Sequence, residues 1–399
     1  MRPIHLSAYT MASCLGRGLE ATRATLRAGS SGLSACRFET VALDTFVGEI
    51  AGVDDVKLPR PLAPFDCRNN RAAELGLAQD GFAGAVAAAA VRHGPARVGV
   101  FIGTSTAGIL QTELAYRRRD ARDGSLPPDF EYRRTHNTFS AAEYVRERLG
   151  LTGPCAAIST ACSSSAKAFA SAARLMHAGI IDAAVVGGVD TLCLTTLYGF
   201  NSLQLLSAQP CRPYDARRDG ISIGEAAAFF LLEREASPSV DGIALLGAGE
   251  SCDAYHMSAP QPEGLGARAA MQAALAAAGL DARDVDYVNL HGTATPSNDA
   301  AEDQAVFAIF GDAVPVSSTK GMTGHTLGAA GAVEALISVL AIDEGRLPGS
   351  PGTRDVDSRL RARYEVAGRT HDVTHVLSNS FGFGGSNCSL VFGRAPRAA

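Results

Sequence analysis

Cys155-Ala156-Ala157-Ile158-Ser159-Thr160-Ala161-Cys162-Ser163-Ser164-Ser165-Ala166-Lys167 joins two kinds of pattern through one tight turn. The run Cys155–Thr160 has the length and apolarity of a buried strand, and the alanine-rich Ala166–Ala178 that follows predicts a helix stopped by Gly179. Strand, turn and helix in that order mark an α/β protein. The same alternation extends in both directions. Strands are expected at Arg97–Ile102, Asp182–Gly187 and Ala226–Leu232, then at Ile243–Glu250, Asp286–Leu290, Val314–Thr319, His375–Ser380 and Cys388–Phe392. Further helices are expected at Arg71–Val91, Ala267–Ala278 and Ala329–Ile342, with Gly94, Gly279 and Gly345 as their stops.

The pattern occurs twice. Gly103-Thr104-Ser105-Thr106 follows one strand, and Gly292-Thr293-Ala294-Thr295 follows another in the second half. Strand, Ser159-Thr160, loop and helix are echoed by strand, Ser318-Thr319, loop and helix, and the closing strands Phe229–Glu233 and Ser389–Gly393 resemble each other. Three matches in one order indicate duplicated halves, residues 1–237 and 238–399, meeting at the polar stretch Glu235–Asp241. Pro260–Gly266 and Gly349–Asp357 read as loops, the latter as an unstructured one.

Bulk properties narrow the function. With 399 residues the chain can bury a large core without staples. A net charge of −5 argues against a dedicated nucleic-acid binder. The longest apolar runs fall far short of the ~18 residues a membrane-spanning helix needs, and no secretory leader is evident. Nine cysteines at irregular spacings, with no C-x-x-C pair, fit reduced thiols and a cytoplasmic protein.

Four groups of residues carry chemistry. Cys162 lies between a strand and a helix start, where unpaired N–H groups favour an anion, so a lowered thiol pKa is expected. His291 and His325 stand in glycine- and threonine-rich turns, His291-Gly292-Thr293-Ala294-Thr295-Pro296 and Lys320-Gly321-Met322-Thr323-Gly324-His325, that could present them to a ligand. A zinc site made of Cys162, both histidines and a carboxylate such as Glu302 is the rival reading, although no pair has ligand spacing; no metal is expected. Asn379-Ser380-Phe381-Gly382-Phe383-Gly384-Gly385 leaves backbone N–H groups free for an oxyanion hole and sets an aromatic ring on flexible hinges. It lacks the lysine and hydroxyl of a phosphate loop, and the Gly103 loop lacks a dinucleotide fingerprint, so no nucleotide cofactor is expected.

These motifs resemble those of the β-ketoacyl-acyl-carrier-protein synthases, the elongating (type I/II) condensing enzymes of the thiolase superfamily. Arg212-Pro213-Tyr214-Asp215, Arg218-Asp219-Gly220, Gly224-Glu225 and Asp253-Ala254-Tyr255-His256-Met257 extend the resemblance over nearly the whole chain. Initiating synthases, with asparagine in place of the second histidine, and degradative thiolases, with a second cysteine, are poorer matches. The resemblance implies a thiolase-like, five-layered αβαβα fold of two pseudo-symmetric halves. It also implies decarboxylative condensation of an acyl thioester with malonyl-acyl-carrier protein, without a cofactor, the substrates riding on the carrier's phosphopantetheine. Carried over by position, Cys162 would hold the acyl chain, and His291 and His325 would support decarboxylation. Lys320 would tune that pair, with Glu334 as its structural partner. The backbone N–H groups of Cys162 and Phe383 would form the oxyanion hole beside Gly382, with Phe383 as gate. Thr293, Thr295 and Ser258 would bind the substrate arm, and Phe200 the acyl chain.

The Gly103–Ile109 loop and Leu197–Ser207 resemble synthases of aryl-polyene and polyketide clusters, which implies either a homodimer or a heterodimer with a chain-length-factor-like subunit. The acyl carrier protein is the expected partner. Because it is acidic and this chain is net negative, a local basic patch is needed, with Arg68, Arg71, Arg117, Arg118 and Arg119 as candidates. The competing enzyme classes are a thiolase-like acyltransferase that does not decarboxylate and a cysteine hydrolase.

Overall fold

The computed structural model describes residues 1–234 and 242–394. Among the described residues, five strands of each half recur in the other, beside shorter strands that do not. In the first they are β1 (Ile4–Ser13), β2 (Val98–Gly103), β3 (Cys155–Ile158), β4 (Ala183–Asp190) and β5 (Ala226–Glu233). In the second they are β6 (Ile243–Cys252), β7 (Tyr287–Asn289), β8 (Pro315–Ser317), β9 (His375–Gly382) and β10 (Ser386–Arg394).

Both sheets are wired alike. The spatial order is β3-β2-β4-β5-β1 in one and β8-β7-β9-β10-β6 in the other. The first three strands of each list run parallel and the last two are antiparallel. Even the irregularities correspond: β1 shifts register against β5 between Leu6 and Ala8, and β6 shifts against β10 between Leu245 and Gly247. Such a shift is a β-bulge, one extra residue on one strand. Among the described residues the sheets touch edge to edge through Ile4↔Leu245 and His5↔Ala244.

What binds the halves is the layer between them. Helix α1 (Ser164–His177) follows β3, and α2 (Ala330–Glu344) comes after β8 at the equivalent place. Both pack against both sheets, in one apolar core that runs from Ile4 and Phe230 through Phe169 and Leu336 to Leu390 and Phe392. The helices cross closely because residue 331 is glycine; a Cβ there would lie 2.6 Å from the Ala166 nitrogen. A second core separates the first sheet from outer helices Arg68–Leu77, Phe82–His93 and Phe139–Arg148, and a third the second sheet from Leu265–Ala278 and Pro296–Phe310. Helix, sheet, helix, sheet, helix gives five layers.

The predicted helix Arg71–Val91 is two helices. Asp80 at φ 53° and Gly81 at φ 69° break it, and the Asp80 carboxylate accepts the Leu19 N–H (3.1 Å) and the Thr10 hydroxyl (2.8 Å), which anchors the break to β1. The loop Gly349–Asp357 is ordered against both halves: Ser350 Oγ accepts the Ser318 N–H at 3.1 Å, and Thr353 donates to the Pro213 carbonyl at 2.6 Å. The halves' proposed junction, Glu235–Asp241, lies outside the described residues. Among the described residues no helix is long and apolar enough to cross a membrane.

Candidate active site

The site lies at the carboxyl ends of the parallel strands of both sheets, where α/β folds leave a crevice. Three residues after β3 the chain turns sharply: Ala161 takes φ 55°, a strained value for a residue with a Cβ, and throws Cys162 into the crevice. Helix α1 begins two residues later, at Ser164, with Ser163 as its cap. Cys162 is 6% exposed. Burial pushes its thiol up to about 12, against the opposing pull of Lys320 and of the Phe383 backbone N–H bonded to the sulfur. The expected lowering of this thiol is therefore corrected. The sulfur sits just outside the helix and in a dry pocket, and desolvation outweighs the favourable dipole.

The second half supplies the rest. His325 Nε2 is 2.9 Å from Cys162 Sγ. The His291 ring lies edge to face with that of His325, centroids 5.3 Å apart at 83°. Both imidazoles are buried and held well below the usual histidine range, first by desolvation and next by the charge of Lys320, so both are neutral at pH 7. Lys320 comes from the one-turn helix Lys320–Thr323 after β8 and is itself buried. Its Nζ donates to Glu334 Oε1 and to the His291 carbonyl, and lies 3.5 Å from His291 Nδ1. An ammonium can only donate, so His291 carries its own proton on Nε2. His325 differs: among the described residues its Nδ1 has no partner.

Glu302, considered above as a metal ligand, holds the His291 turn. It accepts the His291 and Gly292 N–H groups at 2.8 Å each, the Tyr214 hydroxyl at 2.9 Å and the Asn379 amide at 3.2 Å. The sulfur and the imidazole nitrogens of Cys162, His291 and His325 do all fall within 4.8 Å of one another. Glu302 is fully engaged elsewhere and the Lys320 ammonium faces His291, so this donor set suits nucleophile and hydrogen-bond donors better than a cation. The sequence contained a usable signal for Glu302, namely a Thr295-Pro296 helix start. Helix Pro296–Phe310 places Glu302 two turns in, below His291.

The cleft encloses about 600 Å³, partly open to solvent, and brings together Cys162, both histidines, Thr293, Thr295, Ser258, Phe200, Gly382 and Phe383. Thr293 and Thr295 share a hydroxyl contact of 2.9 Å. Phe383 is 37% exposed and its ring lies 5.7 Å from that of Phe200. Gly384 (φ 81°) and Gly385 (φ 75°) supply the left-handed turn behind Phe383, whereas Gly382 is extended and closely packed.

The arginine candidates fare differently. Arg68 is 5% exposed and bonds Glu225 (2.6 Å) and Asp54 (2.6 Å), with Glu49 at 3.3 Å, so it is an internal clamp and no docking residue. Arg71 forks onto Asp66, Arg117 pairs with Glu39 and Arg118 with Asp129. Arg119 is exposed.

Comparison with known proteins agrees with this geometry. Residues 1–237 match the family model of the beta-ketoacyl synthase N-terminal domain, and residues 243–354 that of the C-terminal domain. A 3-oxoacyl-[acyl-carrier-protein] synthase 2 of Rhizobium meliloti (strain 1021) is 35% identical over 428 aligned positions, covering 99% of each chain. A ketosynthase solved in complex with its chain length factor, from Xenorhabdus doucetiae, superposes with a TM-score of 0.88 at 37% identity, over 99% of this chain and 98% of that one. A beta-ketoacyl synthase from Burkholderia phymatum STM815 does so with a TM-score of 0.88 at 30% identity, over 99% of this chain and 100% of that one. The chain belongs to the β-ketoacyl synthase family.

Proposed function

We propose that this protein condenses an acyl thioester, held on Cys162, with malonyl-acyl-carrier protein, losing carbon dioxide to give a β-ketoacyl-acyl-carrier protein. The observation that carries this is one sulfur 2.9 Å from a neutral imidazole, with a second neutral imidazole edge to face beside it. In the first step Cys162 Sγ attacks the acyl carbonyl, and the thiol proton passes by way of His325 Nε2 to the departing pantetheine sulfur. The Cys162 and Phe383 N–H groups receive the carbonyl oxygen. In the second, the malonyl C–C bond breaks and its electron pair forms a thioester enolate. Enolates need donors rather than a strong base. His291, its proton fixed on Nε2 by Lys320, is one, and His325 is the other in its Nε2–H tautomer. The enolate carbon then attacks the acyl carbonyl and Cys162 leaves as the thiolate, which takes a proton from solvent to restore the thiol.

Phe383 serves as gate, Thr293, Thr295 and Ser258 as contacts for the phosphopantetheine arm, and Phe200 as acyl-pocket wall; all of them line the same cleft. The likeness to a ketosynthase solved in complex with its chain length factor supports a two-subunit assembly in polyketide or aryl-polyene elongation, with this chain as the subunit bearing the nucleophile. A homodimer in fatty-acid elongation is the alternative. Nine unpaired cysteines support a cytoplasmic setting.

The test is to load the protein with an acyl thioester, locate the adduct by mass spectrometry, and follow carbon dioxide release on adding malonyl-acyl-carrier protein. Acylated Cys162 together with released carbon dioxide and β-ketoacyl product is expected, unaffected by a strong chelator. Condensation of acetyl thioesters without carbon dioxide, or hydrolysis of the adduct, would replace this reading.

A further inference from the structure

His291 and His325 are held by different means. His291 has a partner on Nδ1 and a carboxylate under its backbone. His325 has neither, for its Nδ1 is unpartnered. Its orientation must come from its backbone, which is tied to the chain on either side of Ile223: the His325 N–H donates to the Ser222 carbonyl at 2.7 Å, and the Gly224 N–H to the His325 carbonyl at 3.0 Å. The following turn is strained, since Leu327 has φ 52°. Something must hold that turn.

The residue that does so closes β4. Asp190 is fully buried and, among the described residues, has no cation within hydrogen-bonding distance. Its Oδ1 accepts the Thr104 hydroxyl (2.8 Å), the Ser105 N–H (2.9 Å), the Thr106 N–H (2.8 Å) and the Thr106 hydroxyl (2.7 Å). Its Oδ2 accepts the Gly328 N–H at 2.6 Å. Three backbone N–H groups and two hydroxyls thus converge on one side chain, an arrangement that suits a carboxylate acting as acceptor. Four of them belong to the loop after β2 and the fifth to the turn three residues beyond His325. Residue 328 must be glycine for this approach; a Cβ there would stand 2.8 Å from Asp190 Oδ2 and from the Ser105 nitrogen.

We propose that Asp190 is a positioning residue for the condensation step, anchoring the Leu327–Gly328 turn to the rigid first sheet and so fixing where His325 points. This rests on the reading of His325 as an enolate donor. The geometry makes the substitution Asp190→Asn informative. Whichever way the amide is turned, its NH₂ meets one of the backbone N–H groups of Ser105, Thr106 or Gly328, so a donor faces a donor. A misplacement of about 1 Å in a reacting group can cost on the order of 100-fold in rate.

The experiment measures single-turnover acylation of Cys162 and condensation separately, in Asp190→Asn, Gly328→Ala, His325→Ala and the double variant Asp190→Asn/His325→Ala. Gly328→Ala strikes the same contact from the other side, which covers the case of one variant failing to fold. The expected result is a roughly tenfold to hundredfold loss of condensation in each Asp190 or Gly328 single variant, with acylation slowed no more than by His325→Ala. The double variant should be no worse than His325→Ala alone, the non-additivity of residues acting as a unit. Normal condensation in Asp190→Asn beside an impaired His325→Ala overturns the proposal and spares the catalytic reading. So does a loss that multiplies fully in the double variant, or failure of both the Asp190 and Gly328 variants to fold, since each assigns the cluster to the scaffold alone. Full condensation by His325→Ala itself would overturn the reading of His325, and the Asp190 proposal with it.

Discussion

The loop after the second strand serves opposite ends in the two halves. In the first, Thr104, Ser105 and Thr106 turn their donors inward to Asp190 and present no titratable group to the cleft. In the second, the equivalent loop turns its backbone N–H groups to Glu302 and leaves the His291 ring facing the cleft. One buried carboxylate organises each loop, so the scaffolding chemistry is shared and only the projecting side chain differs. The loops after the third strands divide the work similarly, Cys162 on one side, Lys320 and His325 on the other. A duplicated fold thus provides two sets of equivalent positions around one crevice. In the proposed reaction the nucleophile comes from the first set and the proton donors from the second.

That division can be broken at either side. The largest effect is expected from Cys162→Ala, which should abolish the covalent acyl adduct seen by mass spectrometry while sparing some carbon dioxide release from malonyl-acyl-carrier protein. Loss of both activities together would mean that the halves do not divide the reaction. Next comes Arg68→Ala in the first half, which strands Glu225 without its partner and should cost about 3–5 kcal/mol in urea unfolding. Its activity, where folded, should fall equally with carrier-bound and small thioesters, since Arg68 is internal. His291→Ala and His325→Ala should slow acylation without stopping it and lower condensation by roughly 10²–10³, as for the loss of one oxyanion donor. Stopped-flow measurement of each half-reaction separates the two.

The two cleft histidines also fix a pH dependence. Both are depressed well below 6.5 in the folded protein, whereas in the unfolded chain they titrate near that value. The unfolded state then binds more protons below pH 6.5, so this share of the stability is present above that pH and is lost as pH falls through it. Urea midpoints at pH 7.5 and pH 5.5 should converge in the double variant His291→Ala/His325→Ala relative to the parent. The smallest effect is expected from Arg119→Glu, a few-fold weaker use of acyl carrier protein with small thioesters unaffected, read as KM against salt. Equal loss with both substrates would remove Arg119 from the docking surface.

Most of the architecture could be read from the chain because buried parallel strands are apolar runs and the helices between them end in glycine. The duplication was visible in tetrapeptides before it was visible as strand order. What stayed hidden depended on tertiary context. Strand β1 carries His5, Ser7, Tyr9 and Thr10 among its apolar residues and so lacks the signature of a core strand, yet it joins the two sheets. Arg68 looked like a surface charge because its partners Glu225 and Glu49 are remote in sequence. The state of the Cys162 thiol was misjudged because helix proximity can be read locally whereas desolvation cannot. Asp190 gave no motif of its own and is recognisable only from the N–H groups that converge on it, whereas Glu302 could be placed on the helix that Thr295-Pro296 starts but not given its role beneath His291.

Helix α2 has every residue from Ala330 to Ile342 buried. A helix covered on all sides has no solvent face to make it stable alone, and this bears on how the protein is made. A ribosome completes α1 at residue 177 and must add residues 178–344 before α2 exists, roughly ten to thirty seconds at about 5–20 residues per second. Throughout that interval Phe169, Phe230 and their neighbours lack the layer that covers them in the finished molecule. That apolar face of the first half stays uncovered until the second half is made, and the second half, on arrival, buries it.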